Sequence, residues 1–493
     1  MIWHIFRKDC KLLWQMAAGV ALINLIHRAI QSGAGVFRNA TASPAVLLSG
    51  LLGTVSLLAT GVLIVIVVQA DAIPGFTQDW LVRPIRRRDL LLSKVLFVAL
   101  LVQAPIFLIE VGQCLAAGFP LGPSLTAPLW RSLWMFLAMD LPVLAFATLM
   151  RSLAQAAGAA IAVVVGFALF TQGAILFTNS VVTNLWVTDW AQVAWGLAGV
   201  AAVLALQYYR RKTARARWVY GAAVLVWLFI EFLPWRPAFA IEKRLSRQPA
   251  AADVVQIAFD PALGKFRRQP GQAEPVRYRE SRATDEVDVW APLRVSGMSD
   301  RQMLTADSML FTIIGPDGAK IDLGRQGSPI PWDANGPSGH YLLFIAKEIY
   351  NRLKDQPVSV EFDYSLTLLQ AEASHAIPAI GGDQWIEGVG RCATRLSAGG
   401  AQVELGCLAP GKMPCATWAI ENWQNTISTG CGSYYVPLGH VSGDSISRFA
   451  RGLPFTDPQS KDTKLVVTSY QPVAHFSRQV VIPDIRLIDW RPE

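Results

Sequence analysis

Along the first 235 residues apolar side chains run in long, nearly unbroken stretches, most of them about 20 residues, the length that crosses a bilayer core. The runs fall at 14–26, 46–68, 90–115, 129–149, 155–177, 190–208 and 218–235. The first follows a short basic leader, MIWHIFRKDCKLL. A cleaved signal peptide also begins basic and continues apolar, but no small-residue cleavage pattern follows here, so a first transmembrane helix is the expectation. Beyond residue 236 the pattern changes. Residues 358–369 alternate, with Val358, Val360, Phe362, Tyr364, Leu366 and Leu368 on one side, as in a half-buried strand. Residues 309–314, a Gly315-Pro316-Asp317-Gly318 turn and residues 319–323 predict a hairpin. Further strands are predicted over 287–295, 402–408, 465–470 and 480–487, and one helix over 341–353, where Leu342, Ile345, Ile349 and Leu353 share a face. The fold class is therefore multi-domain: an α-helical transmembrane bundle of about seven spans over 1–235, a linker over 236–271, and a mainly-β, sandwich-like domain over 272–493.

Charge orients this arrangement. Residues 1–240 hold 18 Lys and Arg against 8 Asp and Glu, and residues 241–493 hold 26 against 28. The net charge of +8 thus belongs to the membrane half and its short loops, which argues against nucleic-acid binding by the soluble part. With the N-terminus in the cytoplasm, segments 1–13, 69–89 with Lys94 just beyond, 150–154 and 209–217 carry 14 Lys and Arg. The opposite loops and their edges carry only Arg28, Arg38 and Arg131, which is the bias that insertion imposes. An odd number of spans then places the C-terminal domain outside the cytoplasm. Trp130, Trp134, Trp190, Trp218 and Trp235 fall near span ends, where indole rings favour the headgroup region.

The most informative polar stretch is 69–94, QADAIPGFTQDWLVRPIRRRDLLLSK, between the second and third runs. Asp71, Asp79-Trp80-Leu81-Val82-Arg83-Pro84-Ile85, Arg87-Arg88-Asp89-Leu90-Leu91 and Lys94 resemble the cytoplasmic loop of ABC transporter permeases of the type-2 exporter class. The resemblance implies that this loop docks on a separate ATPase subunit, with Asp79, Trp80, Leu81, Arg83, Pro84, Arg86, Arg87, Arg88 and Lys94 as the docking residues. It further implies a homo- or heterodimer of permeases, export by alternating access in a bacterial cytoplasmic membrane, and ATP and Mg held by the partner rather than by this chain. The family has six spans with both termini inside. A seventh span and an exported domain depart from that pattern. The same basic cluster could instead anchor topology against anionic lipid. The alternative function is a membrane-anchored external binding or scaffold protein that transports nothing.

Within the apolar runs Glu110 and Asp140 are candidates for a translocation path, because intramembrane carboxylates are costly and face protein or water. Gly158, Ala162 and Gly166, at four-residue spacing, form a stripe of the kind that lets helices approach closely. Four of the six cysteines, Cys392, Cys407, Cys415 and Cys431, lie within 40 residues of the external half. They lack a C-x-x-C pair, so disulfides are expected rather than a metal site. Three pairings are open, the simplest being Cys392–Cys407 with Cys415–Cys431; Cys10 and Cys114 are read as free thiols. No H-E-x-x-H, G-x-S-x-G or Rossmann glycine pattern occurs, and GPDGAK at 315–320 misses the phosphate-loop spacing. No catalysis is expected of this chain.

Overall fold

The structure, a computed structural model, describes residues 1–32, 44–70, 86–177, 186–210, 212–231, 233, 235–245, 250–267, 286–325, 331–333, 338–397, 402–420, 426–429, 446–454 and 463–492. Its N-terminal half is helical. Helix α1 spans Ile2–Ser32 and α2 spans Pro44–Gln69. The third long helix runs from α3 (Arg87–Phe97) through a π-helical turn at Val98–Gln103 into α4 (Ala104–Ala116). The fourth repeats the device: α5 (Leu121–Met135), a π turn at Phe136–Asp140, then α6 (Leu141–Ala147). Each π turn is followed two residues later by a proline, Pro105 or Pro142. Proline lacks an N–H and clashes with the carbonyl four residues earlier, and the widened turn absorbs both defects while the helix continues. Helices α7 (Leu153–Phe177), α8 (Trp186–Tyr208) and α9 (Thr213–Glu231) complete this half.

Among the described residues, five helical segments, Ile2–Ile30, Leu48–Gln69, Arg88–Ala116, Leu121–Ala147 and Val187–Tyr208, are long and apolar enough to cross a membrane. Leu63, Ile64, Phe97, Val98 and Leu144 are buried where α1, α2, α3 and α6 meet. Leu51, Leu58, Leu108, Ile161, Val164, Leu169 and Phe229 are exposed on the outside of the bundle. So much outward-facing hydrocarbon suits a lipid solvent and not water.

A short amphipathic helix, α10 (Trp235–Leu245), and one helical turn, α11 (Ala250–Asp253), lead into the β half. Together with β1 (Gln256–Phe259) they occupy the interval read as a linker, and β1 is already part of a sheet. The remaining strands are β2 (Glu286–Ser296), β3 (Gln302–Ile314), β4 (Lys320–Arg325), β5 (Pro331–Asp333), β6 (Ser338–Ala346), β7 (Val358–Pro378), β8 (Asp383–Ile386), β9 (Gly390–Leu396), β10 (Gln402–Pro410), β11 (Ala416–Ile420), β12 (Thr426–Thr429), β13 (Ile446–Pro454) and β14 (Lys464–Ile485). Three sheets result, with orders β1-β2-β6, β13-β10-β9-β8, and β12-β11-β14-β7-β3-β4 with β5 added on β3.

Two expectations change here. Over 341–353 only the second half is helical, as α12 (Lys347–Leu353); the first half is β6. Tyr341, Leu343 and Ile345 are buried with period two against β2, so pairing with a neighbouring strand overrode a spacing compatible with both elements. The two strands expected at 465–470 and 480–487 are one continuous strand, β14, paired along almost its whole length with β7.

That pair is the spine of the domain. One extra residue in β7 and one in β14 shift the pairing between Ser469 and Tyr470 and between Pro472 and Ala474. Because side chains alternate faces, each bulge switches the parity of the buried positions. On β7 these pass from Phe362, Tyr364 and Leu366 to Ile377, and on β14 from Leu465 and Val467 to Ala474 and Phe476. One face thus stays apolar over the full length. It packs against the three-stranded sheet at one end and against the four-stranded sheet at the other. The opposite face carries polar side chains such as Asp363, Ser365 and Thr367 together with the buried apolar Met303, Leu310 and Leu369.

Candidate functional site

The helix α3–α4 carries the buried polar groups that organise the membrane half. It opens with Arg86 and Arg88 exposed, and Asp89 in its first turn favours the positive end of the helix dipole. Lys94 does not share that surface. Six helical residues rotate it about 120° from Arg88, and it is buried, with Nζ donating to Asp9 Oδ2 of α1 at 2.7 Å. Lys94, expected among the docking residues, therefore does not lie on the exposed face with Arg86 and Arg88 but braces α3 against α1. Leu90, Ile5 and Tyr208 pack at the same level. Residues 71–85, and with them Asp79, Trp80, Leu81, Arg83 and Pro84, lie outside the described residues.

Farther along the same helix, Gln103 Nε2 donates to Asp140 Oδ2 at 2.5 Å, and both residues are buried. Glu110, fully buried, accepts from Arg28 Nη2 of α1 at 2.9 Å and from Arg131 Nη1 of α5. Gln113 Nε2 donates to the Arg28 carbonyl at 2.6 Å. Between α1 and α2, Ser56 Oγ donates to Asn24 Oδ1 at 2.7 Å. The two carboxylates singled out by sequence are thus held in interhelical contacts, each by its own partners. Lys94, Gln103 and Glu110 form a ladder that ties one helix to α1 at both ends and to the α5–α6 helix in the middle. Burial of such groups without partners is costly, so each rung selects one relative placement of the helices. Sequence reasoning missed Asp9, Arg28, Gln103 and Arg131. The contacts span 37 to 85 residues, or 21 in the case of Arg131, and leave no local trace; the only available signal was that an intramembrane charge must have a partner.

Gly158, Ala162 and Gly166 of α7 are exposed, and a Cβ at Gly158 or Gly166 would meet open space. The stripe is not packed on the described residues of its own chain. Among the described residues no cluster of His, Cys, Asp and Glu is grouped to hold a metal ion.

The β half is fixed to the helices at two places. At the turn between α4 and α5, Arg391 of β9 donates from Nη1 to the Ala117 carbonyl at 2.9 Å, while Nε and Nη2 grip Asp383 at 2.9 and 2.8 Å. The fork holds Asp383 below the usual carboxylate range, mainly through its hydrogen bond. Gly118 lies beneath Arg391 with φ +80°, a conformation that suits glycine. Phe119 packs on Trp385, and with Cys114 and Leu408 closes the contact. The disulfide Cys392–Cys407 joins β9 and β10 at directly opposed positions, immediately beside Arg391 and Leu408. Cys415 is disulfide-bonded as well, Cys431 lies outside the described residues, and Cys10 and Cys114 are free.

The second attachment is α10, whose Ala238 and Phe239 pack on Leu310 of β3. Glu242 is fully buried and accepts from Ser477 Oγ at 3.2 Å. His475 stands between two carboxylates, Nε2 3.4 Å from Glu242 Oε1 and Nδ1 3.3 Å from Asp307 Oδ2. Asp307 is the extra residue of a bulge in β3, which aims it at this group and at Thr367. Burial alone would lower the pKa of His475, but its hydrogen bonds to Asp307 and Glu242 and their charges outweigh that and raise it to about 9. The imidazolium is thus the charged link between the helix leaving the membrane half and the long sheet of the β half.

No protein-family model and no curated protein matches this chain. Among solved structures it is similar to red sea bream transglutaminase at 11% identity and a TM-score of 0.14, over 57% of this chain and 35% of that one. At that score the likeness carries no statement about fold or activity.

Proposed function

We propose that this chain is the membrane-spanning permease subunit of an ATP-driven transporter of the type-2 exporter class, with seven spans in a bacterial cytoplasmic membrane. The N-terminus is cytoplasmic and the β domain extracytoplasmic, and two such permeases pair with two ATPases that hold ATP and Mg. The observation that carries this reading is the start of α3: Arg86 and Arg88 are exposed on a helix that Lys94 braces against Asp9. A push delivered by an ATPase to residues 79–88 passes into a helix locked to α1, and through Gln103 and Glu110 to α5 and α6. The external domain sits on the α4–α5 turn and shares that movement.

The test is co-purification from detergent of the intact chain and of a variant with Trp80, Arg86, Arg87 and Arg88 changed to Ala. The reading expects ATPase activity with the wild type and its loss with the folded variant. Absence of ATPase from both, or its retention by the variant, removes the docking assignment. That Glu110 is closed off by two arginines and Asp140 by Gln103 favours a second reading, a membrane-anchored external binding or scaffold protein that transports nothing, and that outcome would support it.

A further inference from the structure

Between the α5–α6 helix, α8 and α9 lies a cavity of about 570 Å³, lined among others by Trp134, Leu137, Met139, Val193, Gly196 and Trp227. It occupies the half of the bundle that faces the β domain, where α8 begins and α9 ends. Three observations mark it as a built site rather than a packing gap. Its lining is almost wholly apolar and its volume falls in the range of about 300–1,000 Å³ that accepts an organic ligand. One wall is the π turn Phe136–Asp140, and π turns inside helices concentrate at functional sites. The third is a donor: Trp134 is buried and lines the cavity, yet its Nε1–H has no acceptor among the described residues. A buried indole N–H normally finds a partner.

The gap is also shaped by sequence. At Gly199, α8 and α9 approach so closely that a Cβ would lie 2.7 Å from that of Ala223, whereas at Gly196, one turn earlier, it would meet open space. Val193, Met139 and Trp227 are only half-buried, so the cavity communicates with the lipid-facing surface.

We infer that this cavity binds one long acyl chain of a membrane glycerolipid, with the ester carbonyl accepting from Trp134 Nε1. An apolar chain matches the lining, an ester oxygen matches the buried, unpartnered Nε1–H of Trp134, and entry is from the bilayer. The assignment is independent of whether an ATPase docks at residues 79–94.

The test uses the full chain in vesicles of phosphatidylethanolamine and phosphatidylglycerol doped with phosphatidylethanolamine bearing a diazirine on one acyl chain. After irradiation, labelled positions are mapped by mass spectrometry. The lining residues Met139, Val193 and Trp227 should be labelled several-fold more than Val164 and Leu169, which face outward on α7. Gly196→Phe directs its ring into the open space and should bring the lining down to the α7 level while α7 is unchanged. Equal labelling of lining and α7 in the wild type, or lining labelling that survives Gly196→Phe, overturns the inference. If that variant does not fold, the wild-type ratio decides alone.

Discussion

Gln103 and Asp140 meet from two π-helical turns on neighbouring helices, amide nitrogen to carboxylate oxygen at 2.5 Å. The sequence places a proline just after each turn, and the fold uses both widened segments at one crossing. This contact holds the centre of a helix that Lys94 and Glu110 hold at its ends.

If Gln103 is the brace for Asp140, Gln103→Leu leaves a buried carboxyl group without its donor and costs about 1–3 kcal/mol. The double variant Gln103→Leu/Asp140→Leu should recover most of that loss. Thermal unfolding in detergent, followed by tryptophan fluorescence, measures both. Equal losses in the two variants would refute the brace.

At the start of the same helix two basic residues should behave in opposite ways. Lys94→Met removes the closest partner of buried Asp9, leaving Lys8 at 3.6 Å, and is expected to cost about 1–3 kcal/mol, with recovery when Asp9→Leu is added. Arg88→Ala, on the exposed face, should leave stability within about 0.5 kcal/mol of wild type. Melting temperatures of the three variants decide, and a large loss in Arg88→Ala would place that side chain in the fold rather than on a docking surface.

Stability of the α10 attachment should fall in alkali. His475 titrates near 9 in the folded protein against an ordinary 6.5, so folding favours its proton. Its stabilisation is complete below pH 6.5, declines above that value and is lost as the pH rises through about 9. The whole effect is on the order of 3 kcal/mol. Melting curves from pH 6 to 10 should show the decline, and Glu242→Gln should flatten it; a wild-type curve that stays level across this range would remove the imidazolium link.

The disulfide Cys392–Cys407 closes a segment with a sequence separation of 15 and stiffens the hairpin that carries Arg391. Reduction, or Cys392→Ala with Cys407→Ala, should lower stability by about 3 kcal/mol. Protease protection of the α4–α5 turn should fall with it, since Ala117 loses a rigid partner. Protection unchanged on reduction would show that the clamp does not depend on the crosslink.

Much of the architecture was written locally. Apolar runs set the helices because a bilayer demands continuous hydrocarbon, period-two alternation set β7, and the Gly315–Gly318 turn set the β3–β4 hairpin. The cysteine cluster already pointed to a crosslinked C-terminal domain. Where local signals were compatible with two elements, as at 341–346, the strand appeared because β2 lay alongside to pair with it.

By itself, then, the sequence determined that a helical, membrane-suited half precedes a β half, because those properties follow from periodicity and run length. Only the tertiary structure decided that Lys94 turns inward to Asp9, that two arginines close on Glu110, and that His475 receives Glu242 from a helix 233 residues away. Those choices rest on the cost of burying a charge alone, and that cost is met by whichever partner the packing of distant helices and strands brings within hydrogen-bond reach.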